Sequence, residues 1–183
     1  MIDAGGMLGL LKSRQSERKY LDRPVEREKI ERITEAGRLS PSACNGQPWR
    51  FIVVDEPGLR EAVASATESE ILRMNTFVHQ APVLIVIVRE KSNFNSRAGD
   101  LIKKRDYSLI DIGIAAASIV YQAMAEGLGT CIIGWFDENK IRGLLGIPKS
   151  RKVELVISVG YTENHQRQKT RKPPGEVTTF NSY

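Results

Sequence analysis

Cysteine is scarce: the chain of 183 residues has two, Cys44 and Cys131. They match neither a metal-ligand spacing nor a disulfide framework, so both are expected to be reduced thiols with packing roles, in a reducing cytoplasm. Histidine is as rare, with only His79 and His165. Neither shows triad partners, and an isolated histidine is usually structural or exposed, so no catalytic acid or base is assigned. Aromatic residues make up 7%, and none interleave with the basic clusters as single-stranded nucleic acid would require, which argues against nucleic-acid binding. The longest apolar stretch, Leu109 to Leu128, is interrupted by Asp111, Gln122 and Glu126. It is expected to be a buried helix rather than a membrane span. Met1 to Leu11 has no basic start and no cleavage motif, so it is not expected to act as a signal peptide.

What is present is ordinary globular composition, 41% hydrophobic and 27% charged. Such a chain is expected to form one domain over residues 1–183, with an extended C-terminal tail over about 165–183. The net charge of +5 concentrates in two places, Arg14-Arg18-Lys19-Arg23 and Arg167-Lys169-Arg171-Lys172. In an extended Arg14-Gln15-Ser16-Glu17-Arg18 segment, alternation puts Arg14, Ser16 and Arg18 on one face. Two guanidinium forks flanking a hydroxyl could grip a phosphate, and a solvated basic turn would look the same in isolation.

Helices are expected from Met1 to Lys12, from Pro24 to about Leu39 with Ile30, Ile33, Ala36 and Leu39 inward, from Pro57 through Ala66, and over about Ser69 to Val78. A long helix over about Leu109 to Glu126 is apolar nearly all round, so it is buried centrally or against a second subunit, and Gly127 suits its left-handed cap. Asp137 is a candidate N-cap for a helix to Leu145. Strands are expected at Arg50 to Val54, Thr130 to Gly134, Val153 to Gly160, and Val83 to Val88, whose six apolar residues do not alternate and so should be covered on both faces. Arg89 to Tyr107 is polar and is expected to be a loop over a site entrance. Alternating strands and helices make an α+β or α/β sandwich.

Between the second helix and the first strand lies Ser40-Pro41-Ser42-Ala43-Cys44-Asn45-Gly46-Gln47-Pro48-Trp49. Its two prolines fix backbone angles, Gly46 is expected to permit a third, and Ser42 and Asn45 supply short polar side chains with open backbone donors. Such a loop can present its backbone to a flat polar ligand, although turn-forming residues also make ordinary connections.

Pro-Ser-Ala-x-Asn-x-Gln-Pro-Trp-x-Phe resembles the signature loop of the nitroreductase family, and three further motifs appear in order. Arg14-x-Ser16-x-Arg18 is similar to that family's opening element, Gly127 to Gly134 to its strand beside the ring, and Lys169-x-Arg171-x-Pro173 to its C-terminal basic motif. The resemblance implies an α+β fold, an α/β/α sandwich with a mixed, mostly antiparallel sheet, and FMN bound at a homodimer interface. It assigns FMN phosphate and ribityl contacts to Arg14, Ser16, Arg18, Lys169 and Arg171, with Gln15 near the ring edge. Pro41, Ser42, Ala43 and Asn45 would reach the flavin of the partner subunit, and Ile133 and Gly134 would back the ring. A polar flavin contact would come from Arg73 or Asn75. The implied activity is hydride transfer from NAD(P)H to the flavin and onward reduction of a nitro compound, quinone or similar small-molecule electrophile. The same fold also supports flavin destruction, dehalogenation and azoline oxidation, and a non-enzymatic FMN carrier is a further alternative. Some family members carry an acidic residue where Ile133 stands, which leaves only backbone contacts there.

Overall fold

A computed structural model describes residues 3–69, 74–91 and 106–183. Four strands, β1 (Trp49–Val54), β2 (Val83–Arg89), β3 (Gly129–Ile133) and β4 (Lys152–Gly160), form one sheet in the order β1-β2-β4-β3. Every pairing between them is antiparallel. The parallel component among the described residues is a single bridge from Ser16 to Thr130 of β3.

The sheet is covered on both sides, and β2 shows why. Val83, Ile85 and Ile87 belong to one apolar cluster while Leu84, Val86 and Val88 belong to the other, and all six are at most 2% exposed. Helices α2 (Arg27–Arg38) and α4 (Tyr107–Ala125) pack on the first face, through Ile30, Ile33, Ile112, Ile119 and Val120. Helices α3 (Pro57–Thr67) and α5 (Glu138–Leu145) pack on the second, through Val63, Ala66 and Ile141. Outside these layers lie α1 (Ala4–Ser13) and a one-turn helix α6 (Pro174–Val177) within an exposed tail.

Several helix ends follow their sequence signals. Asp137 accepts a hydrogen bond from the Lys140 amide at the start of α5, and Gly127 takes φ +76° just beyond α4. Two expectations are corrected. Leu39 is 66% exposed, and the buried stripe of α2 runs Ile30, Ile33, Gly37 instead. A Cβ at residue 37 would lie 2.8 Å from Phe51 and 2.9 Å from Ile119, so α2 approaches the sheet and α4 at a residue with no side chain. The segment from Ser69 is not one helix: Ser69 and Met74 exchange backbone hydrogen bonds as an antiparallel bridge, and a short 3-10 helix, Thr76–Gln80, follows. The expected entrance loop lies mostly at residues 92–105, outside the described residues, as does Arg73.

Helix α4 is long and apolar enough to cross a membrane by length and composition. Here it is a layer of the sandwich, with Ile112, Ala115, Ala116, Ile119, Val120 and Ala123 buried. Its uncovered stripe, Leu109, Ile110, Gly113 and Ile114, is apolar as well.

Candidate functional site

The Ser16 bridge lays the N-terminal motif along β3, with the Glu17 amide donating to the Thr130 carbonyl at 2.8 Å. Glu17 turns inward and is 6% exposed, and Gly129 is required beneath it, because a Cβ there would meet Glu17 Cγ at 2.6 Å. Arg14 and Ser16 are half-buried and Arg18 is exposed. Ser16 is hydrogen-bonded to Cys131, whose thiol is pushed up mainly by burial, against the opposing effect of the Arg18 charge. Cys131 is thus a protonated packing residue behind the motif.

The C-terminal tail crosses over this motif. Gln15 is its tether: Nε2 donates to Glu17 at 2.7 Å and to the His165 carbonyl at 3.1 Å, while Oε1 accepts from the Arg167 amide at 2.9 Å. Gln166 Nε2 donates to the Lys12 carbonyl, and Lys169 Nζ donates to the Leu11 carbonyl at 2.7 Å, near the C-terminus of α1. The Gln15 amide, expected near a ring edge, is engaged on both its nitrogen and its oxygen by protein groups.

These contacts bring Lys169 and Arg171 to Arg14. Partial burial, then the charges of Arg171 and Arg14, hold the Lys169 ammonium below its ordinary value. Among the described residues none of Arg14, Arg18, Arg167, Lys169 and Arg171 is ion-paired, whereas Arg23, Arg27, Arg32, Arg38, Arg50, Arg89, Arg142 and Arg151 each face a carboxylate. Arg14 Nε is buried with no hydrogen-bond partner. Beside it lies a cavity of about 220 Å³ lined by residues that include Arg14, Glu17, Met124, Gly127 and Asn164. Of these cations only Arg14 lines that cavity, with the Glu17 carboxylate also in its wall. The orphaned Arg14 Nε, with Lys169 and Arg171 close enough to act on each other's charge, suits an anion that brings its own acceptor oxygens, as a phosphate does.

At the far end of β3, Ile133 is 3% exposed with its side chain in the core, so it can offer a ligand only its backbone. Gly134 is exposed, and the apolar side chains on the outside are Ile132 and Trp135. Neither was singled out from sequence; period-two alternation from buried Cys131 would have put Ile132 outward. Asn75 takes φ +65°, and its Nδ2 donates to the Thr67 carbonyl at 2.9 Å and the Trp135 carbonyl at 3.3 Å. It fastens the turn to the exit of β3.

The loop from Pro41 to Pro48 is wound on itself. Asn45 N donates to the Ser42 carbonyl, Gly46 N to the Ala43 carbonyl, and Gln47 N to Ser42 Oγ at 3.0 Å. Gly46 has φ −68°, while Cys44 (φ 49°), Asn45 (φ 53°) and Gln47 (φ 45°) take the left-handed region. Glycine was expected to carry the special angle and does not; asparagine tolerates this region, but Cys44 and Gln47 each sit there at a cost of roughly 1–3 kcal/mol. The open backbone donor expected at Asn45 is engaged within the turn. Ala43 N donates to Asp111 Oδ1 of α4 at 3.0 Å, and Ser40 Oγ bonds Ser118 Oγ at 2.7 Å. Facing outward are the exposed Pro41 and Asn45, with Ser42 half-buried.

Within one chain these parts do not converge. The loop is tied to α4 at Asp111, and the cavity beside Arg14 touches α4 at Met124. Thirteen residues of helix separate the two, roughly 20 Å along the axis at about 1.5 Å per residue.

The model of the Nitroreductase family matches residues 11–161. The chain is 31% identical to a solved FMN-dependent nitroreductase from Clostridium difficile R20291, which it matches over 97% of its own length and 100% of that chain with a TM-score of 0.77. It is 26% identical to an oxygen-insensitive NADPH nitroreductase of Helicobacter acinonychis, over 84% of this chain and 85% of that protein. Iodotyrosine deiodinase 1 of Rattus norvegicus is 26% identical over 83% of this chain and 60% of its own length.

Proposed function

Because the chain belongs to the nitroreductase family, we propose that it is an FMN-dependent oxidoreductase, which takes hydride from NADH or NADPH and passes it to a nitro compound, a quinone or a similar electrophile. FMN, when bound, supplies the hydride-accepting ring. The observation that carries the reading is the unpaired cation cluster of Arg14, Lys169 and Arg171 around the orphaned Arg14 Nε.

In this reading Arg14, Lys169 and Arg171 hold the phosphate from two sides, with Ser16 and Arg18 alongside on the same extended face. Lys169 is held near the C-terminus of α1 by the Leu11 carbonyl, which ties this part of the tail beside Arg14. The backbone of Ile133 and Gly134 would back the ring, with the exposed Ile132 and Trp135 beside it. No side chain is assigned a proton-transfer role.

Pro41, Ser42, Ala43 and Asn45 serve the site of a second copy. The distance along α4 between loop and cation cluster supports a homodimer in which each site is built from two subunits, and the uncovered stripe of Leu109, Ile110 and Ile114 supplies an apolar contact. The similarity to iodotyrosine deiodinase favours one second reading, reductive dehalogenation on the same flavin.

FMN titration followed by quenching of flavin fluorescence tests the proposal. Saturable 1:1 uptake per chain, weakened by salt because cations hold the phosphate, is expected. Protein that takes up no FMN at low salt would contradict it.

A further inference from the structure

Asp111 is the one acidic residue buried within α4, at 3% exposure. One oxygen accepts from the Ala43 amide at 3.0 Å, and the other, Oδ2, is buried with no hydrogen-bond partner among the described residues. For the fold this is a poor arrangement, because a buried carboxylate answered on one side only is a cost that an apolar side chain of the same size would avoid. What the carboxylate does achieve is local. It pins the first amide of the one turn in which Cys44, Asn45 and Gln47 all hold left-handed backbone angles.

We propose that Asp111 is a positioning residue for the flavin site, which holds the Ser42-to-Gln47 turn in its strained form so that Ser42 and Asn45 stand where a partner subunit's flavin needs them. This rests on the reading given above. The Ser42 hydroxyl and the Ser40–Ser118 pair brace the turn from within and behind. The Ala43–Asp111 bond joins it to the helix whose exposed stripe would meet the second copy. Strain of this kind persists only where the surroundings over-determine it, and the carboxylate is the charged member of that bracing.

The test compares Asp111→Leu, Asp111→Asn and the unaltered protein by melting temperature, FMN affinity and the rate of thiol labelling at Cys44. Cys44 is an exposed thiol on the turn, and Cys131 is buried, so labelling of the flavin-stripped protein reports the loop directly. For Asp111→Leu the expected results are an unchanged or higher melting temperature, FMN binding weakened about tenfold, and Cys44 labelled several times faster. Asp111→Asn keeps an acceptor for the Ala43 amide and should restore most of the affinity. If Asp111→Leu melts lower or fails to fold, or if it binds FMN and labels like the unaltered protein, the proposal is overturned. Should the unaltered protein bind no FMN, the flavin reading fails on its own. The labelling rates of the stripped proteins then still decide whether Asp111 holds the turn.

Discussion

Arg14 is the residue on which the proposed phosphate grip most depends. Its Nε is buried and unpartnered, and it shares the charge environment of Lys169. Arg14→Gln keeps much of the shape and removes the charge, so FMN affinity should fall about 10- to 100-fold, the range expected for one charge-assisted hydrogen bond of about 1.5–3 kcal/mol. Unchanged affinity would place the phosphate elsewhere. Glu126 offers a test away from the site. Arg32 donates to both its oxygens, at 2.7 and 2.8 Å, and Gln122 to one. The Arg32 hydrogen bonds are the main reason its carboxyl is lowered from 4.5 to about 2. A depressed folded-state value contributes stability above pH 4.5 that is lost as pH falls towards 2. Denaturant midpoints at pH 6 and pH 3 should therefore differ more for the unaltered protein than for Glu126→Gln. The alternation of Arg14, Ser16 and Arg18 could be read from spacing, because every second position shares a face in extended chain, but spacing alone did not separate a phosphate grip from a solvated basic turn. The tether role of Gln15 could not be read at all, since its partners His165 and Arg167 lie at the other end of the sequence. Asp111 was legible only as an interruption of an apolar run.

Among the elements, β2 was the most legible. Six apolar residues without alternation leave no solvent face, and both of its faces are in fact cores. The caps at Gly127 and Asp137 were equally plain, because they are satisfied by residues nearby in sequence. Legibility failed where tertiary contact decides. In α2 the inward position at the last turn is Gly37, not Leu39, as Phe51 and Ile119 occupy the space a side chain would take. Gly37→Ala should destabilise by about 1–3 kcal/mol through overpacking, although alanine is the better helix former. Gly113 on α4 has nothing within 4 Å of an added Cβ, so Gly113→Ala should not destabilise an isolated chain. Thermal melts of the two variants check the contrast. The signature loop was recognised as a string and misread as a backbone: its angles follow from Asp111 and from hydrogen bonds inside the turn, not from the place of its glycine.

For the whole molecule, the sandwich and its mostly antiparallel sheet were anticipated, and what the single chain keeps apart are the loop and the cation cluster. The loop and the cation cluster sit at opposite ends of α4, and the apolar stripe between solvent and that helix has no cover within the described residues of the chain. Ile110→Glu should convert a dimer to monomers in sedimentation velocity and weaken FMN binding with it. A dimer that persists, or a monomer that binds FMN as before, would remove the shared-site part of the account. The most direct test of the central claim is the visible spectrum of the FMN-loaded protein without oxygen. The flavin band should bleach on addition of NADH or NADPH and return on addition of a nitroaromatic or quinone. A band that neither nicotinamide bleaches would contradict the oxidoreductase.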